Sequence, residues 1–545
     1  MRFESFANFS IFRPRDSSEY EIRIASERNL RSTYPVGIYK EKVKINEIIQ
    51  HQFTFYLHKL KQLVPLVASR NFLEFVLHEY EIASDIEELY KSEVLNYHEK
   101  NQWEEIGAVF RKAAKYVAEL TTQLNHLEAP LEKDSYLLLT TEKLWICAEE
   151  IISLYIVSEQ THSIFSQYSE LEILPAGSND FLQHRLTIDI SAEKSRTYLD
   201  LRNRDRFMPK PIFLLDIEKH DEVLGQVFKD QIGVTYQEAI GILEVAIERS
   251  SPPPNGFPIP FINKKKLIET LSETFSFSSH SVETVIEGFL ISKEKMELEK
   301  REVWNPKQEY RAFSRGFFEY IYQGEKHIVF SKAMARECLI GLFSNTSFKK
   351  LPSEWLSPKI SKTLDTLGNE VGKWFEHISV ANLIRCGFIG SKSIKKLKIS
   401  NEILKLPKGV GEIDYIGYSD KENILLICEC KMVRFSFEPK FFRDDIHDFI
   451  TSSHSYIKKF RSKVEWVRAN LYKICESNVI EIDKIKAKTL KVGGIIITFF
   501  PTIASNFIDD YPCVSLTEFM VDYESMHKYP YEIGIVDSPI KPADA

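Results

Sequence analysis

The sequence predicts a multidomain protein in which a mostly α-helical N-terminal region precedes a C-terminal α/β domain with a mixed central sheet. Three observations support this fold class. Apolar residues recur near helical spacing through most of the first 165 residues. A proline-rich stretch at 251–260 cannot form a helix or a central strand, and it therefore marks a boundary. Beyond residue 360, short apolar runs alternate with helical patterns.

The N-terminal domain is predicted to span 1–174 and to begin with a short β segment. Residues 9–24 alternate between apolar and polar side chains, with an interruption at Pro14. Four later stretches show apolar spacing near 3.6 residues, and they are the predicted helices 44–66, 71–97, 103–124 and 135–165. We expect this helical region to support self-association or the binding of a protein partner.

The middle of the chain is predicted to contain two smaller parts, separated by the proline-rich boundary. Residues 181–250 form a mixed α/β segment, with strands at 184–190 and 211–217 and a helix at 235–248. Residues 261–350 contain two short predicted helices, 264–275 and 281–291. These helices fit a winged-helix-like module, and simple helical packing explains them equally well.

The C-terminal α/β domain is predicted to span 355–525, and 526–545 is predicted to be a tail. A helix should end near Gly387, because glycine adopts the left-handed conformation that often follows a helix. The later elements are predicted in the order hairpin, helix, strand, short strand, helix. The hairpin strands follow 414–418 and 424–431, and the remaining elements follow 445–471, 491–500, 511–516 and 517–523.

The predicted hairpin carries two acids and a lysine at one end. Asp414 opens its first strand, and Glu429 and Lys431 close its second. Side chains alternate along a strand, so Glu429 and Lys431 leave the same face, while Cys428 and Cys430 point to the opposite face and are expected to pack. Burying such charges is costly unless they are paired or bind a metal. Mg²⁺ prefers carboxylate oxygens and completes its shell with water or phosphate, so these residues predict a divalent-cation site.

The motif resembles the PD-(D/E)xK nuclease superfamily, whose domains have a restriction-endonuclease-like fold. Asp414 is followed by fourteen residues and then by Glu429-Cys430-Lys431. Upstream, a Phe375-Glu376 pair precedes Gly387 in a predicted helix, and this family typically carries a glutamate at such a place. Glu370 is the alternative candidate. A bare Asp…Glu-x-Lys pattern recurs often, so an ordinary α/β domain with a solvated Glu-x-Lys is the competing interpretation.

The resemblance implies a function and a role for each motif residue. Asp414, Glu429 and the Cys430 carbonyl would hold Mg²⁺, with Mn²⁺ as a substitute. Lys431 would lie beside the attacking water or the scissile phosphate, and Glu376 would reach the site from the helix. The implied activity is an endonuclease that cleaves nucleic acid, with DNA favoured over RNA, in prokaryotic restriction or anti-phage defence. The alternative is a catalytically silent nucleic-acid-binding or assembly module with the same fold.

Basic residues flank the motif in two places and fit a polyanionic substrate. The segment 391–408 is interpreted as a substrate-binding loop, and the predicted helix after the hairpin carries a second group interleaved with aromatic residues. A solvated surface is the alternative for both. The candidate nucleic-acid-binding residues are Lys392, Lys395, Lys396, Lys398, Lys408, Lys458, Lys459 and Arg461.

Composition limits the remaining possibilities. The net charge of −7 excludes a protein that coats nucleic acid along its whole surface. Seven scattered cysteines are typical of reduced thiols, so a cytoplasmic location is expected. The first ten residues lack the apolar segment of a signal peptide. The longest uncharged run is broken by Gly493, Gly494 and Pro501, so no membrane association is expected.

Overall fold

The computed structural model describes most of the chain, and these residues form two compact units. One unit consists of Met1–Thr187 and Leu214–Leu367, and the other of Ile188–Phe213 and Gly368–Ala545. The sequence predicted five segments, because local changes in composition were used as boundaries. In the structure, each unit instead combines two segments that are far apart in the sequence. The described residues are 2–124, 134–161, 168–177, 180–187, 191–210, 212–254, 256–296, 310–399, 402–435, 439–477, 479–480, 482 and 489–537.

The chain is helix-rich, and most of its helices belong to the first unit. Up to residue 187 the elements are β1 (Arg2–Phe6), β2 (Phe9–Arg13), α1 (Asp16–Arg31), β3 (Gly37–Tyr39), α2 (Lys42–Val67), α3 (Arg70–Lys91), α4 (Tyr97–Gln123), α5 (Asp134–Glu159), β4 (Ser169–Ile173) and β5 (Leu182–Leu186). After α6 (Ser191–Phe207), which belongs to the second unit, follow α7 (Ile217–Ile232), α8 (Tyr236–Arg249), β6 (Phe261–Asn263), α9 (Lys264–Phe275), α10 (Ser279–Glu287), β7 (Leu290–Ile291), β8 (Phe317–Tyr322), β9 (Glu325–Val329) and α11 (Lys332–Thr346). Helix α12 (Pro358–Arg385) begins in the first unit, and its residues from Gly368 onward belong to the second.

Four helices lie where the N-terminal region was predicted to be helical, α2 to α5. However, α3 ends at Lys91 rather than at 97, and α4 begins at Tyr97 rather than at 103. The start of α4 shows why the chain turns helical there. The Asn96 side chain accepts a hydrogen bond from the Glu99 N–H at 3.0 Å, and the Glu99 carboxylate accepts one from the Asn96 N–H at 2.9 Å. This reciprocal cap satisfies two amide groups that the first helical turn leaves without partners. Residues 162–165 of the last predicted helix lie outside the described residues.

Two predictions in the first 250 residues are wrong. The β segment at 9–24 ends at Arg13, and α1 begins at Asp16. The strand at 211–217 is a turn over 213–215 that leads into α7, and residue 211 lies outside the described part. Both ends of α7 are encoded locally, because Asp216 caps its first turn and Gly233 ends it at φ 92°. The predicted strand at 184–190 is confirmed only as β5, and 188–190 lie outside the described residues.

The two short helices after the proline-rich boundary belong to a small α/β arrangement. They are α9 and α10, and the strand order beside them is β6-β9-β8-β7. The antiparallel hairpin β8–β9 therefore pairs back onto β6, the strand that precedes both helices. This order fits a winged-helix-like module. However, α10 contains neither lysine nor arginine, so it offers no basic surface to nucleic acid.

The second unit is built on a mixed six-stranded sheet. Its strand order is β10-β13-β14-β15-β16, with β17 also paired to β15. The pairs β10–β13 and β13–β14 are antiparallel, whereas β14–β15 and β15–β16 are parallel. Its elements after α12 are β10 (Ile389–Ile394), β11 (Lys396–Ile399), β12 (Glu402–Lys405), β13 (Ile413–Ser419), β14 (Ile424–Lys431), α13 (Pro439–Ile446), α14 (Tyr456–Ala469), α15 (Leu471–Cys475), β15 (Lys491–Thr498), β16 (Cys513–Ser515), α16 (Leu516–Met526) and β17 (Ile535–Asp537).

Helix α6 belongs to this sheet unit because its polar side chains form hydrogen bonds with residues at the start of α16. Arg196 donates to the Glu518 carboxylate at 2.5 Å, and Ser515 donates to Asp200 at 2.6 Å. The Asn382 amide also donates to the Phe207 carbonyl at 2.9 Å. These contacts connect residues more than 170 positions apart. Local periodicity could not predict them.

Three predictions in the C-terminal domain need correction. The single helix at 445–471 is α13, a π-helical turn (His447–Thr451), α14 and the start of α15, because the polar run 452–455 interrupts it. The supposed loop 391–408 contains the end of β10 and the hairpin β11–β12. The supposed tail contributes β17 to the sheet, and residues 538–545 lie outside the described part. Gly387 follows α12 at φ 87°, as predicted.

No helix in the described part of the chain is long and apolar enough to cross a membrane.

The buried carboxyl group of Glu79 predicts a pH dependence of stability. Glu79, in α3, accepts a hydrogen bond from the Phe12 N–H at 2.7 Å. Burial raises the Glu79 pKa to about 7, although that hydrogen bond opposes the shift. The folded pKa exceeds the unfolded one, so the stabilisation is fully present below about pH 4.5 and is lost as the pH rises through 7.

Replacing Glu79 with glutamine should therefore raise the melting temperature at pH 8 and change it little at pH 4.5. The expected gain in the free energy of unfolding at pH 8 is at most about 3 kcal/mol. Thermal unfolding at both pH values checks this result, with Glu88→Gln on the exposed side of α3 as the control. A gain of equal size at both pH values would contradict it.

Candidate active site

The predicted acids lie at the open end of the β13–β14 hairpin. The turn between the two strands includes Asn423 at φ 54°, a conformation that asparagine tolerates. Backbone pairing runs from Ser419↔Ile424 to Tyr415↔Cys428 and stops one residue before Asp414 and Glu429. The Cys430 N–H instead donates to the Asp414 Oδ2 at 2.8 Å. The Asp414 carboxylate is thus held against the edge of β14 beside the motif.

The Cys430 carbonyl points to the same side of β14 as Asp414. Within one strand residue, the N–H and C=O point to the same neighbouring strand. The Lys431 carbonyl accepts the Phe499 N–H at 3.0 Å on the opposite side, toward β15. The Cys430 side chain points to the sheet face opposite Glu429 and Lys431. Its Sγ lies 3.9 Å from the Cys428 Sγ, and both residues are buried. The prediction that these two cysteines are packing residues is therefore confirmed.

Both carboxylate oxygens of Glu429 bind lysine ammonium groups. Lys431 donates to Oε1 at 2.6 Å, and Lys463, from α14, donates to Oε2 at 2.5 Å. The Glu429 and Lys463 side chains are only 6% and 8% exposed, whereas Lys431 is 22% exposed. Paired charges at such low exposure satisfy the usual condition for burying ionised groups. The site therefore contains a second lysine that the motif did not include.

Lys463 could have been recognised from the sequence of its helix. It was not among the site residues predicted from the sequence. Its neighbours in the helical repeat, Phe460, Val464 and Val467, are all buried. These positions form one face of α14, and a lysine on such an apolar face requires a buried partner.

Electrostatic coupling connects Asp414 with the rest of the site. Burial and the negative charge of Glu429 raise the Asp414 pKa to about 7, while Lys431, Lys463 and the Cys430 N–H oppose the shift. Burial alone would lower the Lys431 pKa, but Glu429 and Asp414 raise it above its ordinary value. Lys431 is therefore a persistent cation rather than a base. Its Nζ also lies 5.0 Å from the Tyr456 ring centroid, an arrangement that stabilises an ammonium.

Glu376, on α12, is half-buried and faces this group of charges. Burial raises its pKa, the negative charges of Glu412 and Glu429 add to the shift, and Lys431 and Lys463 oppose it. Glu370, the alternative candidate, is exposed. The geometry thus favours Glu376 as the helix glutamate, and its role stays a prediction.

The predicted lysines of 391–408 lie on strands and turns, and all five site candidates there are exposed. In the hairpin β11–β12, Lys396 is directly opposite Lys405. Like charges at opposed positions destabilise a sheet, so a bound polyanion would relieve a local repulsion. Lys395 pairs with Glu412 at 3.0 Å, and the Lys392 Nζ lies 3.1 Å from the His377 Nδ1.

Helix α14 presents the second group of basic residues on its outer face. Lys458, Lys459 and Arg461 are exposed, while Lys463 points into the site. Arg461 pairs with Asp510, and Lys458 donates to the Ser452 carbonyl at 3.2 Å. The basic residues of this helix are therefore divided between solvent and site.

The donor set fits a hydrated Mg²⁺ or Mn²⁺ ion. Burial and the negative charge of Glu429 raise the Asp414 pKa, and a divalent cation would relieve the repulsion between the two carboxylates. The Cys430 carbonyl provides a third oxygen on the same side. The described residues contain no cluster of three or more His, Cys, Asp or Glu side chains suited to a metal. An ion held by two carboxylates and one carbonyl would keep several waters, as Mg²⁺ usually does.

No protein-family model, curated protein or solved structure matched this chain. The resemblance to the PD-(D/E)xK superfamily therefore rests on the motif residues alone.

The hairpin lysines allow a prediction about binding. Replacing Lys395, Lys396 and Lys398 with alanine should weaken nucleic-acid binding across all sequences, because exposed ammonium groups neutralise phosphates without reading bases. The slope of log affinity against log salt should fall by up to about one unit for each phosphate that is no longer neutralised. Turnover at saturating substrate should change little. Fluorescence anisotropy across a salt series measures the effect, and weakened binding confined to a Lys458, Lys459, Arg461 triple variant would assign binding to α14 instead.

Proposed function

We propose that this protein is a metal-dependent nuclease that hydrolyses phosphodiester bonds, with DNA favoured over RNA. The observation that carries the proposal is the joint placement of Asp414, Glu429, the Cys430 carbonyl and Lys431 at one end of the β13–β14 hairpin. Two acids, a backbone oxygen and an ammonium group match what cation-assisted hydrolysis of a phosphodiester requires. A role in prokaryotic restriction or anti-phage defence belongs to the same proposal and rests on the resemblance alone.

Each residue has a part in the proposed reaction. Asp414, Glu429 and the Cys430 carbonyl would hold the ion. A divalent cation bound there would make water more acidic and offset negative charge at the phosphate. The Lys431 ammonium would stabilise the charge that develops on the scissile phosphate, and Tyr456 and Glu429 keep that ammonium in position. The Glu376 carboxylate, with its raised pKa, would orient the attacking water and accept a proton from it.

One observation favours a second candidate, a silent nucleic-acid-binding module. Both Glu429 oxygens are already bonded to ammonium groups, so the site is neutralised by the chain's own residues. A purely structural ion-pair cluster would have the same arrangement. This candidate predicts binding without cleavage under all ionic conditions.

The deciding experiment incubates the full-length protein with supercoiled plasmid, linear duplex, single-stranded DNA and single-stranded RNA. Parallel reactions contain Mg²⁺, Mn²⁺ or EDTA. We expect cleavage of at least one DNA substrate with either cation and none with EDTA. Binding of these substrates without any cleavage would favour the silent module, and cleavage that persists in EDTA would contradict the metal dependence.

A further inference from the structure

The buried lysine of α14 has a function that the motif does not assign. Among the described residues, Glu429 is the side chain that binds the Lys463 ammonium, at 2.5 Å from Oε2. Lysine is almost never this deeply buried unless it is paired. The pair therefore brings the middle of α14 to the end of β14, and it does so through a carboxylate expected to bind the cation.

Lys463 already supplies a positive charge where a cation would bind. Each oxygen of Glu429 accepts a hydrogen bond from an ammonium group, Lys431 on Oε1 and Lys463 on Oε2. A divalent cation at the same carboxylate would therefore meet two positive charges at short range. Because the Glu429 and Lys463 side chains are almost fully buried, water would screen this repulsion little.

The two lysines are not equivalent with respect to such a cation. Lys431 is supported from a second direction by the Tyr456 ring, 5.0 Å away, whereas Lys463 is joined to the site through Oε2 of Glu429. Breaking the Lys463 bond would free that oxygen and remove one positive charge in a single step. Lys463 is therefore the residue that can exchange with the ion.

We propose that Lys463 is a built-in counter-ion that a divalent cation must displace from Glu429, and that this exchange sets how tightly the site binds metal. In the metal-free state the ammonium neutralises Glu429 and connects α14 to the sheet. When metal binds, part of its binding energy is used to separate this pair. The inference rests on the proposed function, because it concerns the same carboxylates, and it makes metal occupancy depend on the free cation concentration.

The test compares Lys463→Met, which keeps the length but removes the charge, with wild-type protein. Full-length protein freed of metal with EDTA is titrated with MnCl₂ in a calorimeter, and its melting temperature is measured in EDTA. We expect Lys463→Met to bind Mn²⁺ about tenfold or more tightly, because a positive charge beside the ion has been removed. Its melting temperature in EDTA should fall, since Glu429 then lacks one of its two partners.

Three further variants separate the explanations. Lys463→Arg keeps the charge and should bind Mn²⁺ as wild type does, and Lys473→Met, an exposed lysine on α15, should leave both measurements unchanged. Lys463→Gln provides a neutral side chain that can still bond Glu429 if the methionine variant fails to fold. Equal or weaker Mn²⁺ binding by the folded neutral variants would overturn the exchange role. If neither wild type nor any of these variants binds Mn²⁺, the proposed function itself fails.

Discussion

Asp414→Asn and Glu429→Gln should each slow nucleic-acid cleavage by roughly a hundredfold or more at saturating Mg²⁺. Each change keeps the size and shape of the side chain but removes an anionic oxygen ligand from a site that has few carboxylates. The asparagine can still accept the Cys430 N–H hydrogen bond that holds Asp414 in place. For Asp414→Asn, the slower cleavage should therefore arise from the chemistry rather than from the fold. Glu429→Gln also weakens the ion pairs with Lys431 and Lys463. Single-turnover rates measure both variants.

The melting temperature provides the control for Asp414→Asn, because this variant should lose activity without losing stability. Burial and Glu429 raise the Asp414 pKa to about 7, so an ionised Asp414 destabilises the metal-free fold. Asp414→Asn should then melt in EDTA at the same or a higher temperature than wild type at pH 8. A variant that is folded and still cleaves near the wild-type rate would show that Asp414 is not part of the active site.

Lys431→Met should also reduce cleavage by roughly a hundredfold, but for a different reason. The ammonium next to Glu429 and Asp414 stays protonated, so it contributes a fixed positive charge where negative charge develops on the phosphate. Its removal should lower turnover and leave Mn²⁺ binding intact or tighter, because the two carboxylates and the Cys430 carbonyl remain.

Turnover and Mn²⁺ affinity, measured together, distinguish Lys431 from a metal ligand. Asp414→Asn should lose both metal affinity and turnover, whereas Lys431→Met should lose turnover alone. Lys431→Arg keeps the charge and should recover part of the rate, although its planar group cannot reproduce the same position. Wild-type turnover by Lys431→Met at saturating metal and substrate would contradict the assigned role.

Local signals in the sequence were enough to predict the central part of this site. The hairpin from 414 to 431 was predictable because its strands, turn and charged ends lie within eighteen residues. The end of the helix that carries Glu376 was predictable, because Gly387 follows it and adopts φ 87°. The N-terminal helices were predictable from their apolar spacing, which burial in the first unit accounts for.

The features that the sequence did not predict depend on contacts between distant residues. Lys463 meets Glu429 across 34 positions, and Asp200 meets Ser515 across 315. Helix α6, part of the second unit, has a largely polar sequence, and it contacts the rest of that unit through charged and hydrogen-bonding groups. The hairpin β11–β12 was predicted to be a loop because of its many lysines. Its strand pattern is short: Lys396 and Lys398 are exposed, and Leu397 between them is buried.

The most direct measurement is an anomalous difference map from crystals of the full-length protein soaked in MnCl₂. We expect one strong Mn²⁺ peak about 2 Å from a carboxylate oxygen of Asp414 and of Glu429 and from the Cys430 carbonyl oxygen. In that crystal the Lys463 ammonium should have left Oε2 of Glu429. A saturating soak that yields no peak between these two carboxylates, with the Lys463–Glu429 pair intact, would contradict a metal-dependent active site at this hairpin.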